Sequence, residues 1–144
     1  MADFLTPENG TKNIFSKVLD DTMLSNYITS KVLVNNKQSE IGRATKVSDL
    51  NKVLSNVDLA IIVNEEVFKS LLPEDQKLVA ESVLAGVHFD TEKDKLVVNK
   101  GDIPAIHSGV VSKYGVDKYF NVMNQIREIF SQKKDAKEQE TSQN

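Results

Sequence analysis

The sequence predicts an α+β fold, in which a small mixed or antiparallel sheet with a β-hairpin is packed by several helices. Three features support this prediction: the continuous apolar run DLAIIV at 58–63, two alternating segments around TEKD at 91–94, and several stretches with apolar residues at helical spacing. The chain has 144 residues, of which 40% are hydrophobic and 27% are charged. These proportions are typical of a globular protein, and we place a single domain at 1–130.

The N-terminal segment predicts a turn followed by helix. Pro7 and the pair Asn9-Gly10 indicate the turn, and Thr11 can cap the helix that follows. Apolar residues then recur every four positions, at Phe15, Leu19, Met23 and Tyr27. This spacing predicts one amphipathic helix or a pair of short ones.

Two short strands and a short helix are expected next. KVLV at 31–34 predicts a strand, and GRATKV at 42–47 gives a weaker strand signal. Ser48 is a good N-cap residue and precedes apolar residues at helical spacing, which predicts a capped short helix.

The middle of the chain predicts a buried strand and two helices. The β-branched run at 58–63 is typical of a central strand that is buried on both faces. NEEVFKSLL then predicts a short helix. Pro73 suits the first turn of the next helix, where Glu74 and Asp75 favour the positive end of its dipole. This second helix is expected to end near Gly86.

The C-terminal part predicts a β-hairpin, two helices and a tail. VHFD and KLVVN alternate in hydrophobicity and are expected to pair as the hairpin. One helix is predicted from Pro104 to Gly115, and an amphipathic helix follows at 116–130. The segment 131–144 is almost entirely polar, which predicts a frayed helix end that continues as a disordered tail.

Composition excludes several classes of function. The chain has no cysteine, so disulfides, thiolate metal sites and cysteine nucleophiles are excluded, and a reducing compartment is expected. No signal peptide and no apolar stretch long enough to span a membrane is present, so no membrane association is predicted. The net charge is −3, and the basic residues of KKDAK near the C-terminus alternate with acids. We therefore expect no nucleic-acid partner.

Residues 42–115 contain a series of short patterns in a fixed order. The patterns are Gly-Arg-Ala at 42–44, Val63-Asn64, Leu72 with Gln76, Asp102-Ile103 and Tyr114-Gly115. In this order, around the predicted strand, helix and hairpin, they resemble the phage metallopeptidase family, whose domain is zincin-like. The resemblance covers about half of the chain and implies a zincin-like fold for that portion.

The resemblance also implies where a zinc site would lie. In that family a helix carries His-Glu-x-x-His, and a later residue supplies a further ligand. The two imidazoles share one helix face and bind zinc, while the glutamate deprotonates the metal-bound water. The corresponding positions here are Ala80, Glu81, Leu84 and Gly101.

A degenerate member of the family is therefore expected. A methyl group, an isobutyl group and a hydrogen atom cannot bind zinc, so we predict no metal site and no cofactor. Glu81 is then a relic of the general base, with a raised pKa in a cleft, or simply a solvated helix residue. The resemblance implies a non-catalytic, phage-type binding or structural protein, found in the cytoplasm of the bacterial host or associated with a virion.

Two other hypotheses remain open. A metal-dependent hydrolase with a rearranged site would need His88 and His107 to converge with an acid such as Glu81, Asp90 or Asp102. Nothing in the spacing enforces this, and His88 is expected on the solvent face of its strand. Alternatively, the resemblance is accidental and the chain is an unrelated α+β interaction domain.

A protein partner or self-association is the remaining expectation. The helix at 116–130 has a wide apolar stripe that packs on its own domain, on a partner or on a second copy. Adjacent residues in the stripe cannot both lie at the centre of one face, which leaves apolar area for a partner. The candidate partner-binding residues are Tyr119, Phe120, Met123, Ile126 and Phe130.

Overall fold

A computed structural model describes the backbone of residues 4–99 and 104–142, and the side chains of 4–99 and 108–135. The fold class is α+β, as predicted. The strands are β1 (Ser30–Val34), β2 (Gly42–Lys46), β3 (Leu59–Val63), β4 (Val87–Asp90) and β5 (Lys95–Val98). The helices are α1 (Asn9–Asp21), α2 (Asp49–Ser55), α3 (Glu65–Lys69), α4 (Pro73–Val83), α5 (Pro104–Tyr114) and α6 (Val116–Ser142).

β3 is the central strand of a mixed sheet with the order β1-β3-β2. β1 pairs with it in parallel and β2 pairs with it antiparallel. Its side chains at Leu59, Ile61 and Val63 are fully buried, and on the opposite face Ile62 is buried while Ala60 is half-buried. The predicted central strand, buried on both faces, is thus confirmed.

β4 and β5 pair antiparallel as the predicted hairpin, with Val87 opposite Val98 and Asp90 opposite Lys95. The Asp90 carboxylate accepts hydrogen bonds from the backbone N–H groups of Glu92 and Lys93. This side chain therefore holds the turn between the two strands.

The N-terminal helical segment is divided in two, which was one of the two predicted arrangements. α1 ends at Asp21, and a short 3-10 helix follows at Leu24–Asn26. Met23 between them has a left-handed backbone conformation, with φ of 64°. Such a conformation cannot continue a right-handed helix, so the chain changes direction at this residue.

α4 packs on α1, α5 and β2. Its contact with β2 is close because Gly42 has no side chain: a Cβ atom there would lie 2.8 Å from Val83 Cγ2. Leu78, Val79 and Ala80 of α4 are buried in the same core cluster as the inward side chains of β3. α4, the helix that would carry the zinc-binding motif according to the resemblance, is therefore part of the core.

α2 is capped as predicted, since the Ser48 hydroxyl accepts a hydrogen bond from Asn51 N–H. Its apolar side chains do not pack on the domain, however. Leu50, Val53 and Leu54 have exposed fractions of 69%, 83% and 75%. The spacing of apolar residues identified the helix but not a buried face.

α6 is longer than the predicted helix at 116–130, because it continues through Ser142. The structure thus differs from the expected tail over residues 131–142, which are helical. Lys133 reaches Glu66 at 2.8 Å, which ties this extension to α3. Lys, Glu, Gln and Ala are all good helix formers, so a polar segment anchored at one point can continue a helix.

In the part of the chain that the structure describes, no helix is long and apolar enough to cross a membrane.

Candidate functional site

Ala80 of α4 and Leu84 just after its end, the two positions where the resemblance would put zinc-binding histidines, are core residues. Ala80 is 0% exposed and Leu84 is 4% exposed. Both contact the hydrophobic cluster that includes the inward side chains of β3. The space beside α4 is therefore occupied by hydrocarbon from this helix and from the sheet.

Glu81 points to α5 and forms an ion pair with its last turn. The distance between Lys113 Nζ and Glu81 Oε1 is 2.5 Å. The Glu81 side chain is 15% exposed, whereas the Lys113 side chain is 53% exposed. Glu81 is thus neither a fully solvated residue nor an isolated carboxylate, because a cation held by the neighbouring helix balances its charge.

Tyr114 lies beside this ion pair. Its hydroxyl and the second carboxylate oxygen of Glu81, Oε2, are both buried and lack a partner with hydrogen-bond geometry among the described residues. Burial raises the pKa of Tyr114 above its usual value, and the neighbouring Glu81 carboxylate raises it further. The raised pKa keeps the Tyr114 phenol protonated over a wider pH range, so its hydroxyl can donate a hydrogen bond.

The chemistry open to this cluster is limited. A general base that activates water in a zincin acts on a water molecule polarised by the metal. At Glu81 the adjacent helix positions carry Ala80 and Leu84, which bind no metal, and Lys113 already accounts for one carboxylate oxygen. The arrangement is suited to holding α4 against α5.

Two other residues of the resembled pattern have structural roles. Asn64 is 1% exposed; its side-chain oxygen caps α3 at Val67 N–H, and its amide nitrogen donates to the carbonyls of Asn36 and Gln38. Gln76 Nε2 donates to the carbonyls that end α3, at Phe68 and Leu71. Each side chain joins segments that the sequence separates.

Gly115 ends α5 for a conformational reason. Its φ is +91°, a value that side-chain-bearing residues rarely adopt, and α6 begins at the next residue. The turn at Gly115 sets the direction in which α6 leaves α5.

The structure describes the side chain of His88 but not that of His107. His88 is exposed on β4, opposite Val97, as expected for the solvent face of that strand. His107 lies in α5, but its side chain is outside the described set, and Gly101 and Asp102 lie outside the described residues. Within the described side chains, no group of three His, Asp or Glu residues has a geometry that could hold a metal ion.

The candidate partner-binding residues of α6 are divided between core and surface. Ile126 is buried, and Tyr119 and Met123 pack against the core as partly buried residues. Phe120 is 55% exposed and its ring meets that of Tyr119 edge to face, with centroids 5.7 Å apart. Phe130 is half-buried and lines an open groove. Most of the stripe therefore packs on its own domain.

Sequence reasoning missed Lys113 as a member of the candidate site. Its partner Glu81 is 32 positions away, so no local spacing could reveal the pair. The same holds for Lys118, which lies 2.8 Å from the buried carboxylate of Asp75. Asp75 was expected to act on the helix dipole of α4, and it also joins that helix to α6.

No protein-family model matches the chain, and no curated protein matches it either.

Proposed function

We propose that this protein is a non-catalytic binding or structural module with a metallopeptidase-like fold that lacks a metal site. The observation that carries the proposal is the packing around α4: Ala80 and Leu84 lie in the core, and Glu81 forms an ion pair with Lys113. Hydrolysis at this position would require ligands in place of the two apolar residues and a carboxylate free to act on water.

The proposed setting is that of a phage-type protein, and it follows from the resemblance of residues 42–115. The tasks it suggests are assembly in or around a virion and binding of a host factor in the bacterial cytoplasm. A fold can be retained for such a task after its chemistry is lost, because the core residues of the fold do not depend on the ligands.

The test of the proposal is the metal content of the full-length chain, purified without a histidine tag and measured by elemental analysis. We expect far less than one zinc ion per chain after incubation with zinc and removal of the unbound metal. The variants His88→Ala and His107→Ala serve as controls, since these are the two histidines in the chain.

The opposite result would support an enzyme with a rearranged site. If the chain binds one zinc ion and either His→Ala variant loses it, the non-catalytic proposal fails. A peptidase assay on the zinc-loaded chain would then define the activity.

A further inference from the structure

The loop after β1 and the C-terminal half of α6 form the walls of an open groove with a volume of about 1180 Å³. The loop follows β1, and Asn64 at the base of the groove follows β3, so the groove lies at the carboxyl ends of two parallel strands. This end of a parallel pair is where α/β proteins commonly bind ligands. Enclosed small-molecule sites usually measure roughly 300–1,000 Å³ and are mostly apolar. This groove is larger and more open, and apolar as well as charged groups line it, so an extended chain fits it better.

Four of the residues that line the groove are basic. Lys37, Arg127, Lys133 and Lys134 line it together with the carboxylate of Glu66. Lys133 is paired with Glu66 at 2.8 Å. Neither Arg127 nor Lys134 forms an ion pair within the described side chains. Four cations against one carboxylate give this lining a positive charge, although the whole chain has a net charge of −3.

The loop wall of the groove is held in place before any ligand binds. Asn64 Nδ2 donates to the carbonyls of Asn36 and Gln38, and Gln38 Nε2 donates to the carbonyls of Glu40 and Ile62. Because these bonds fix the loop, binding along it carries a smaller cost in conformational entropy.

The helical wall presents a regular spacing of charges. Arg127 and Lys134 are seven positions apart on α6, with Phe130 between them, so all three lie on one face of the helix. At 1.5 Å per residue the two cations are separated by about 10 Å along the helix axis. A peptide in the polyproline II conformation has three residues per turn and rises about 3.1 Å per residue, so acidic residues three positions apart lie on one side of it, about 9 Å from each other.

We propose that this groove binds an extended acidic segment of a partner protein, with carboxylates at every third position paired to Arg127 and Lys134. An apolar side chain between the carboxylates would contact Phe130. This inference rests on the proposed binding role and adds the chemistry of the partner. Single-stranded nucleic acid is the poorer match, because its binding uses several stacked aromatic rings, whereas Phe130 is the aromatic residue among those that line the groove.

The experiment measures binding of labelled probes to the full-length chain by fluorescence anisotropy. The first probe is a peptide of about nine residues in which Glu recurs at every third position with Leu between. A matched peptide carries Gln in place of Glu, and an oligothymidine of similar length represents nucleic acid. We expect saturable binding of the acidic peptide, weaker binding at high salt, and little binding of the Gln peptide.

Charge-changing variants test whether the peptide binds in the groove. The pair Arg127→Glu and Lys134→Glu, combined in one chain, should weaken binding of the acidic peptide roughly tenfold or more, since two attractions become repulsions. The neutral pair Arg127→Gln and Lys134→Gln should weaken it less. The control pair Lys12→Glu and Lys17→Glu changes the net charge equally on exposed residues of α1 that do not line the groove, and should leave binding nearly unchanged.

Three outcomes would overturn the inference: no saturable binding of the acidic peptide, equal weakening by the control pair, or tighter binding of oligothymidine than of the peptide. None of them bears on the metal content of the chain. Failure of the groove proposal is therefore distinguishable from failure of the proposed function.

Discussion

Glu81 is the candidate relic of a general base, and its contact with Lys113 limits what its carboxylate can do. The carboxylate is mostly removed from solvent, and one of its oxygens lies 2.5 Å from a lysine nitrogen on another helix. A partly buried carboxylate without a counter-charge is costly, because burial weakens its hydration. The ion pair therefore gives the Glu81 carboxylate a counter-charge within the packed interface of α4 and α5.

A double-mutant cycle tests this role of Lys113. Lys113→Met keeps a side chain of similar length but leaves the Glu81 charge without its partner, and should lower the free energy of unfolding by about 1 kcal/mol. In a Glu81→Gln background the same change should cost much less, since no charge is left to balance. Urea unfolding of the four chains measures the difference.

The control for this cycle is Lys17→Met, which removes an exposed lysine of α1 and should have little effect on unfolding. If Lys113→Met has the same effect with and without the Glu81 carboxylate, the two side chains do not interact in solution, and the description of Glu81 as a neutralised residue is wrong.

At the scale of elements, the contact of α4 with β2 depends on a glycine. A Cβ atom at Gly42 would lie 2.8 Å from Val83 Cγ2, which is closer than side-chain carbons approach. Val83 is β-branched and has few alternative rotamers, so the two elements would have to separate slightly. The position of α4 over the sheet is thus encoded by the absence of a side chain on β2.

Gly42→Ala should lower the free energy of unfolding by about 1–2 kcal/mol through overpacking. The loss should shrink when Val83→Ala is present in the same chain, because the smaller side chain leaves room for the new methyl group. Gly109→Ala is the matched control: nothing lies within 4 Å of its Cβ position in α5, and the change should be neutral or stabilising. Equal costs of Gly42→Ala with and without Val83 would rule out this contact.

The elements that the sequence predicted well are those with strong local patterns. The continuous run at 58–63 identified β3, and the alternation around TEKD identified the hairpin. The extension of α6 to Ser142 was not predicted: its polar composition indicated a tail although several of its residues are good helix formers, and its anchor joins Lys133 to Glu66 across 67 positions. The exposure of Leu50, Val53 and Leu54 was equally hidden, since spacing defines a helix face without showing what covers it.

The candidate site shows the same division between local and distant information. Residue identities alone showed that Ala80 and Leu84 cannot bind zinc. That Lys113 neutralises Glu81, and that Arg127 and Lys134 line one groove with the loop after β1, are consequences of tertiary packing. A contact between two residues that are far apart in the sequence produces no periodic pattern around either residue.

At the scale of the whole molecule, the described core is continuous through the helix where the resembled family holds its metal. Leu78, Val79 and Ala80 of α4 share a hydrophobic cluster with Phe15 of α1 and Ile61 of β3. If the proposal of a domain without a metal site is right, its stability comes from apolar burial and needs no ion. A structural or catalytic metal would instead contribute its binding free energy to folding.

Whether the fold includes a metal site can be measured as the dependence of its unfolding on zinc. The measurement is the urea midpoint of the full-length chain, once with a chelator and once with excess zinc ion. We predict the same midpoint in both conditions, since the described side chains of the folded state form no site for zinc. A native site filled to 100 times its dissociation constant would stabilise the fold by about 2.7 kcal/mol. A rise of that size, abolished by Glu81→Gln or His88→Ala, would contradict the account.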